Sequence, residues 1–118
     1  MKQQSRDDFL KLVEIAERLK DKYIIVEGKK DEKVLRNLGL QNIIKIGGRD
    51  LQDISLTLNH DKEIVILTDF DKAGKKLAAR TNKILRAYKF KINSQLRKLF
   101  FGLGKSRVED FNSILSLE

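Results

Sequence analysis

Cysteine and proline are both absent from this sequence. Without cysteine there is no disulfide, no thiolate chemistry and no Cys-ligated metal. A chain of 118 residues can still bury a core, so neither staple is required. No apolar run approaches the length of a membrane span. The N-terminal MKQQSRDDFL lacks the apolar stretch of a signal peptide. The expectation is a cytoplasmic protein with no membrane partner. A third absence is local: residues 72–107 carry 12 Lys/Arg and not one Asp or Glu.

That local absence accounts for the whole charge excess. Residues 1–71 hold 13 Lys/Arg against 14 Asp/Glu, and residues 108–118 hold three acids and no base. The formal net charge of +8 therefore arises in one acid-free stretch. Such asymmetry suits an anion-binding face, with nucleic acid as the expected partner. A set of solvated basic helix faces is the plainer reading.

What is present is a pair of apolar runs tipped with acid. Tyr23-Ile24-Ile25-Val26 leads into Glu27-Gly28, and Ile64-Val65-Ile66-Leu67-Thr68 leads into Asp69-Phe70-Asp71. Short β-branched runs of this kind read as buried strands of a parallel sheet. Ligands of open α/β sheets bind beyond the carboxyl ends of the strands. If the two strands are neighbours, Glu27, Asp69 and Asp71 converge, and three carboxylates together call for a hard divalent cation such as magnesium.

Helical and extended patterns alternate along the chain, as in a βαβ fold. Residues 5–20 read as an amphipathic helix with Ser5 as N-cap and Phe9, Leu12, Val13, Ala16 and Leu19 on one face. Strands are expected at 22–26, 42–46, 63–68 and, as an edge, 88–92. Helices are expected at 31–38, 50–59 and 72–87, then at 94–103 and at 106–117 with Ser106 as cap. Helix 72–87 would bury Ala73, Leu77, Ile84 and Leu85, and helix 94–103 would bury Leu96, Leu99, Phe100 and Leu103. The whole of 1–118 is expected to be one domain, its motifs within 22–92, an N-terminal helix at 5–20 and a helical segment at 94–117. Right-handed crossovers then give about four mainly parallel strands in the order 2-1-3-4, with Glu27 and Asp69/Asp71 flanking the switch point.

Individual residues carry two readings each. Glu27 is a site acid or a solvated loop acid. Asp31 is a helix N-cap or a site residue. Asp69 and Asp71 point the same way if extended, while Asp71 also fits the N-cap of the helix starting at Lys72. Gly28 permits a tight turn. Gly74, inside a helix, suggests a close backbone approach. Lys72, Lys76, Arg80 and Lys83 form a stripe suited to a phosphate backbone. Gly102-Leu103-Gly104-Lys105-Ser106 ends like a phosphate-binding loop, but Leu99 stands where the first Gly is required. His60 reads as a surface residue, and Phe100-Phe101 as core.

Together, VEGKKD (26–31) and LTDFDKAGKKL (67–77) resemble the two motifs of the Toprim domain. That domain occurs in topoisomerases, bacterial-type primases, recombination mediators and several nucleases. The likeness spans about 22–92, and length and the C-terminal LRKLFFGLGKSRVEDF are most similar to small stand-alone Toprim proteins of archaea and some bacteria. The resemblance implies a compact Rossmann-like fold. It implies Glu27 as general acid/base or metal ligand, Asp69 and Asp71 as ligands of magnesium (or manganese), and Gly28, Asp31 and Gly74 in support. Lys29, Lys30, Lys72, Lys75, Lys76, Arg80 and Lys83 would meet phosphates of RNA or DNA. Neither tyrosine, Tyr23 nor Tyr88, lies outside an expected strand, and no second module is visible, so strand rejoining or primer synthesis by this chain alone is not expected. Three functions follow: a magnesium-dependent phosphodiester-cleaving or phosphotransfer domain; a metal-dependent binding module, alone or with a protein partner; and, last because no Gly-rich phosphate loop is present, a small-anion or nucleotide-binding α/β domain.

Overall fold

In a computed structural model the chain is described over residues 2–115, with side chains from residue 6. Three parallel strands form the centre: β1 (Tyr23–Val26), β2 (Ile43–Lys45) and β3 (Ile64–Ile66), in the order β2-β1-β3. Ile24 pairs with Ile43 on one side and Val65 on the other. β1 and β3 are thus neighbours, and their acid-tipped ends lie side by side.

Alternation along the strands sends side chains to two faces, and each face has its own core. Ile24, Val26, Val65 and Leu67 pack into one cluster with Leu12, Leu19, Val34, Leu35, Leu96 and Phe100. That face is covered by α1 (Lys2–Leu19), α2 (Lys29–Asn37) and α5 (Ser94–Phe101), with the 3-10 turn Val108–Phe111 and α6 (Asn112–Leu115). Ile25, Ile64 and Ile66 pack into the other cluster with Ile46, Leu51, Ile54, Leu85 and Phe90. There the cover is α3 (Leu51–Ser55) and α4 (Lys72–Ala87). A sheet buried on both faces explains the nearly continuous apolar runs of β1 and β3.

The structure corrects several sequence-based expectations. Residues 88–92 form no strand. Ile92 makes a single parallel bridge to Ile64, where Ile64 N–H donates to Lys91 O and Asn93 N–H to Ile64 O. The run is used up by the end of α4: Lys89 is left-handed (φ 72°), and Phe90 N–H turns back to Leu85 O. α1 starts at Lys2, so Ser5 lies within it rather than capping it, and its buried face is Leu12, Ile15, Ala16 and Leu19, with Val13 exposed. α2 begins two residues before expectation, at Lys29, with Gly28 as N-cap; Asp31 is therefore not the cap. α3 ends at Ser55 instead of running to 59.

On α4 Ala73 is exposed, and on α5 Leu99 is exposed while Arg97 is buried in its stead. The helix expected from Ser106 is a 3-10 turn from Val108 followed by the single turn α6; residues 116 and 117 of that expectation lie outside the described residues. His60 is exposed as expected, yet its ring stacks on Phe90 at 4.0 Å and its Nε2 meets Tyr88 O at 2.8 Å. Phe100 and Phe101 are both core. Among the described residues no helix is long and apolar enough to cross a membrane.

Candidate functional site

The end of β3 is held from several directions. After Ile66 the chain continues through the buried Leu67 and Thr68 to Asp69. Arg97, projecting from α5 and only 9% exposed, reaches beneath this segment. Its Nη1 donates to Ile66 O (2.9 Å), Thr68 O (2.6 Å) and Thr68 Oγ1 (3.3 Å), and its Nη2 to Asp69 O (3.1 Å). The guanidinium also lies 5.2 Å from the Phe70 ring centre and 5.1 Å from that of Phe101. Burial lowers its pKa from the ordinary value, and the Asp69 charge opposes that fall. Among the described residues no carboxylate pairs with it directly; three carbonyl oxygens and the Thr68 hydroxyl accept from it.

Gly74 closes the same turn from the helix side. A Cβ built on Gly74 would lie 2.0 Å from Asp69 O and 2.6 Å from Asp69 C. Only glycine lets α4 approach this loop so closely. The Gly74 N–H donates to Asp71 Oδ1 (2.7 Å), making Asp71 the N-cap of α4, and Gly74 O accepts from Thr68 Oγ1 (2.7 Å). The C-terminal segment supplies the third hold. Val108 N–H donates to Asp69 Oδ1 (2.9 Å), and Phe70 N–H donates to Ser106 O (2.6 Å). Phe70 stacks on Phe101 at 5.0 Å and carries the Lys75 ammonium 4.4 Å above its ring.

The end of β1 is built more lightly. Glu27 is exposed, and its backbone carbonyl accepts from Gly47 N–H (2.9 Å). Gly28 is extended, and its N–H donates to Asp31 Oδ2 (3.3 Å), so Asp31 closes the first turn of α2 from its third position. Asp31 is half-buried and its pKa is pushed up to about 6. Burial is the largest cause; the Gly28 hydrogen bond opposes it, and the charges of Asp69, Glu27 and Glu109 add to it.

The structure thus brings Glu27, Asp31 and Asp69 into one electrostatic neighbourhood and adds Glu109 from the 3-10 turn. Asp71 is turned to the helix N-terminus. Among the described residues no three His, Asp or Glu side chains stand close enough to enclose a metal ion.

The cations flank this neighbourhood. Lys29 and Lys30 are exposed at the start of α2, and Lys72, Lys75, Lys76, Arg80 and Lys83 are exposed on α4. None of the seven is in an ion pair among the described residues; Arg107, paired with Glu109 at 3.7 Å, is the exception in the acid-free stretch. Gly104 is left-handed (φ 94°), and the Gly102–Ser106 turn offers Ser106 O to Phe70 N–H.

Sequence reasoning missed Arg97, Glu109 and Thr68. Arg97 sits among apolar residues in LRKLFF, where an outward arginine has the same local signature. Glu109 comes from a segment whose fold depends on the loop it packs against.

Residues 21–94 match the family model of the Toprim domain. The chain is 32% identical to a UPF0292 protein of Thermococcus sibiricus over 94% of this chain and 90% of that one. It is 34% identical to one of Methanocaldococcus jannaschii, covering 94% and 93%. With one of Pyrococcus furiosus the identity is 43%, over 67% of this chain and 63% of that one. A putative protein from Aquifex aeolicus has a similar solved fold, with a TM-score of 0.75 at 24% identity, covering 82% of this chain and 94% of that one.

Proposed function

The chain belongs to the Toprim domain family, and from that premise we propose that it is a magnesium-dependent domain that cleaves or transfers phosphodiesters in RNA or DNA. The observation that carries this reading is that Asp69, Glu27 and Glu109 all act by charge on the half-buried Asp31, beside lysines and arginines that form no ion pair among the described residues. Like charges held together in a folded protein favour a cation.

The donor set suits magnesium. Every side chain is a hard oxygen donor. Asp69 and Asp71 each engage one oxygen, with Val108 N–H and Gly74 N–H, and the second oxygen of each has no hydrogen bond among the described residues. Magnesium is commonly held through one or two carboxylates and keeps several waters, so a site of fewer than three protein ligands is no obstacle. Asp69 and Asp71 are the residues that would hold it, with Glu27 at the end of the neighbouring strand β1. When bound, the ion offsets charge on a phosphate and orients the attacking or leaving oxygen.

The chain's own residues do the rest. Glu27, exposed and free of side-chain hydrogen bonds among the described residues, supplies or accepts the proton at the reacting oxygen. Lys29, Lys30, Lys72, Lys75 and Lys76 take flanking phosphates, and Arg80 and Lys83 extend that contact along α4. Asp31 and Gly74 shape the two turns, and Arg97 fixes the backbone that presents Asp69.

A specific observation favours a second reading, a binding module without turnover: Asp71 is already committed to capping α4. The test is incubation of the chain with single- and double-stranded RNA and DNA, with magnesium, manganese or chelator. The expected result is metal-dependent product that Asp69→Asn abolishes. Binding that weakens steeply with salt, with no product under either ion, would leave the module.

A further inference from the structure

Beyond the acids, the C-terminal edge of the sheet holds a groove of about 520 Å³ between α3 and α4. Leu51, Leu77 and Ile84 line it as an apolar floor, and Arg49 and Arg80 stand at its rim. Arg49 is pre-set: its Nη2 donates to Lys45 O at 2.5 Å, and its N–H donates to Ile46 O at 2.7 Å. The one acid in the lining, Asp50, is occupied as N-cap of α3, accepting from Gln52 N–H at 2.9 Å. The groove starts next to the acid site, because Gly47 N–H donates to Glu27 O and Gly48 lines the groove.

We propose that this groove seats one unpaired nucleotide of a single-stranded nucleic acid, its base on Leu51, Leu77 and Ile84 and its phosphate on Arg49 and Arg80. The inference rests on the nucleic-acid reading above and narrows it to strands with accessible bases. Two features select that occupant. Arg49 and Arg80 are in no ion pair among the described residues, which suits phosphate. A floor of leucine and isoleucine gains nothing from phosphate and needs an apolar face, which a splayed-out base offers and a duplex keeps stacked inside. The volume lies within the range of pockets that hold small organic groups. A strand lying here would pass Glu27 at one end and the Lys76–Lys83 stripe at the other.

The experiment is fluorescence anisotropy on the full chain in chelator, so that the acid site recruits no metal. The probes are labelled 12-nucleotide oligo-U, oligo-dT, an abasic strand of the same length and charge, and a 12-base-pair duplex. Expected is at least about 5-fold tighter binding of base-bearing strands than of the abasic strand. Arg49→Ala/Arg80→Ala should weaken binding about 10-fold or more, and lower the slope of log affinity against log salt by about 1.4. Both arginines are exposed, so the fold should survive; Arg49→Lys/Arg80→Lys, keeping the charge, checks this by partial rescue.

Equal affinity for abasic and base-bearing strands, or full affinity in the double alanine variant, overturns the groove and leaves the nucleic-acid reading standing. Displacement of the strand by a 12-residue glutamate peptide at equal concentration also overturns it, in favour of an acidic peptide. Wild-type chain that binds no strand and no duplex overturns both readings.

Discussion

At the end of β3 the backbone of Thr68, Asp69 and Phe70 is approached from three places, by Arg97 of α5, Gly74 of α4 and Ser106 in the turn before the 3-10 helix. At the end of β1, one strand away, Glu27 is held among the described residues only through its carbonyl, and its side chain is exposed. The two ends have the same sequence signature, an apolar run tipped with acid, but opposite mechanics. A residue that holds an ion profits from a fixed position. A residue that hands over a proton must reach the reacting oxygen and reset. The difference between the ends therefore parallels the two roles proposed for Asp69 and Glu27, and it can be attacked from either side.

The largest expected effect comes from Arg97. Truncation to Ala or Met removes charge-assisted donors from two buried carbonyls, of Ile66 and Thr68, and the part-buried one of Asp69, each worth roughly 1.5–3 kcal/mol. Recovery of the guanidinium's desolvation offsets part of that, leaving about 3 kcal/mol of lost stability. Arg97→Met keeps contact with the Phe70 and Phe101 rings, so a smaller loss than in Arg97→Ala would isolate packing from hydrogen bonding. Urea unfolding measures both. If Arg97→Met were as stable as wild type, the grip on β3 would be dispensable and the contrast with β1 would collapse.

Gly74→Ala comes next. The added methyl meets backbone, which cannot swing aside as a side chain can. Overpacking of this sort costs about 1–3 kcal/mol, and the better helix propensity of Ala returns up to about 1. A net loss of about 2 kcal/mol is expected, with amide shifts concentrated at 67–71 in NMR spectra. Stabilisation by the substitution would mean that the loop yields readily.

A smaller effect belongs to Asp31, which joins the two ends. Its carboxyl binds a proton more tightly in the folded chain (about 6) than in the unfolded one (3.8). Folded stability from this group is therefore full below the unfolded value and declines as pH rises through about 4 to 6. Asp31→Asn keeps the acceptor for Gly28 N–H and removes the charge. Its melting temperature should match wild type near pH 4 and exceed it at pH 8, in chelator. Added magnesium should raise the wild-type value at pH 8 more than that of the variant. A constant difference across pH would remove Asp31 from the acidic neighbourhood.

The legibility of this molecule follows the same division. β1, β3 and α4 were readable because each has one strong local signal: a β-branched run for the strands, and Asp71 ahead of a helical repeat for α4. The order of the three strands followed from crossover geometry. Gly74 was readable as a close approach because glycine inside a helix otherwise costs stability. The fourth strand failed because Tyr88 and Lys89 alternate like a strand while Lys89 is left-handed and Phe90 N–H bonds back to Leu85, a local helix C-cap that the alternation hides. Arg97 failed for the opposite reason. The rule that arginine faces water is sound until three strand-end carbonyls need a donor, and those become visible only when α5 is docked.

The least disruptive substitution is the most informative about chemistry. Glu27 is exposed, so Glu27→Gln should leave stability within about 0.5 kcal/mol of wild type. Compared with Asp69→Asn, which keeps an acceptor for Val108 N–H, it separates the two ends of the site. If Glu27 handles the proton, Glu27→Gln lowers cleavage by about 10²–10⁴-fold and leaves magnesium affinity, read by calorimetry, within about 2-fold of wild type, while Asp69→Asn loses both. If Glu27 is instead a ligand, the two variants lose magnesium affinity together. In that case the free side chain at the end of β1 is one that a bound cation would draw in, and the mechanical contrast would describe only the metal-free protein.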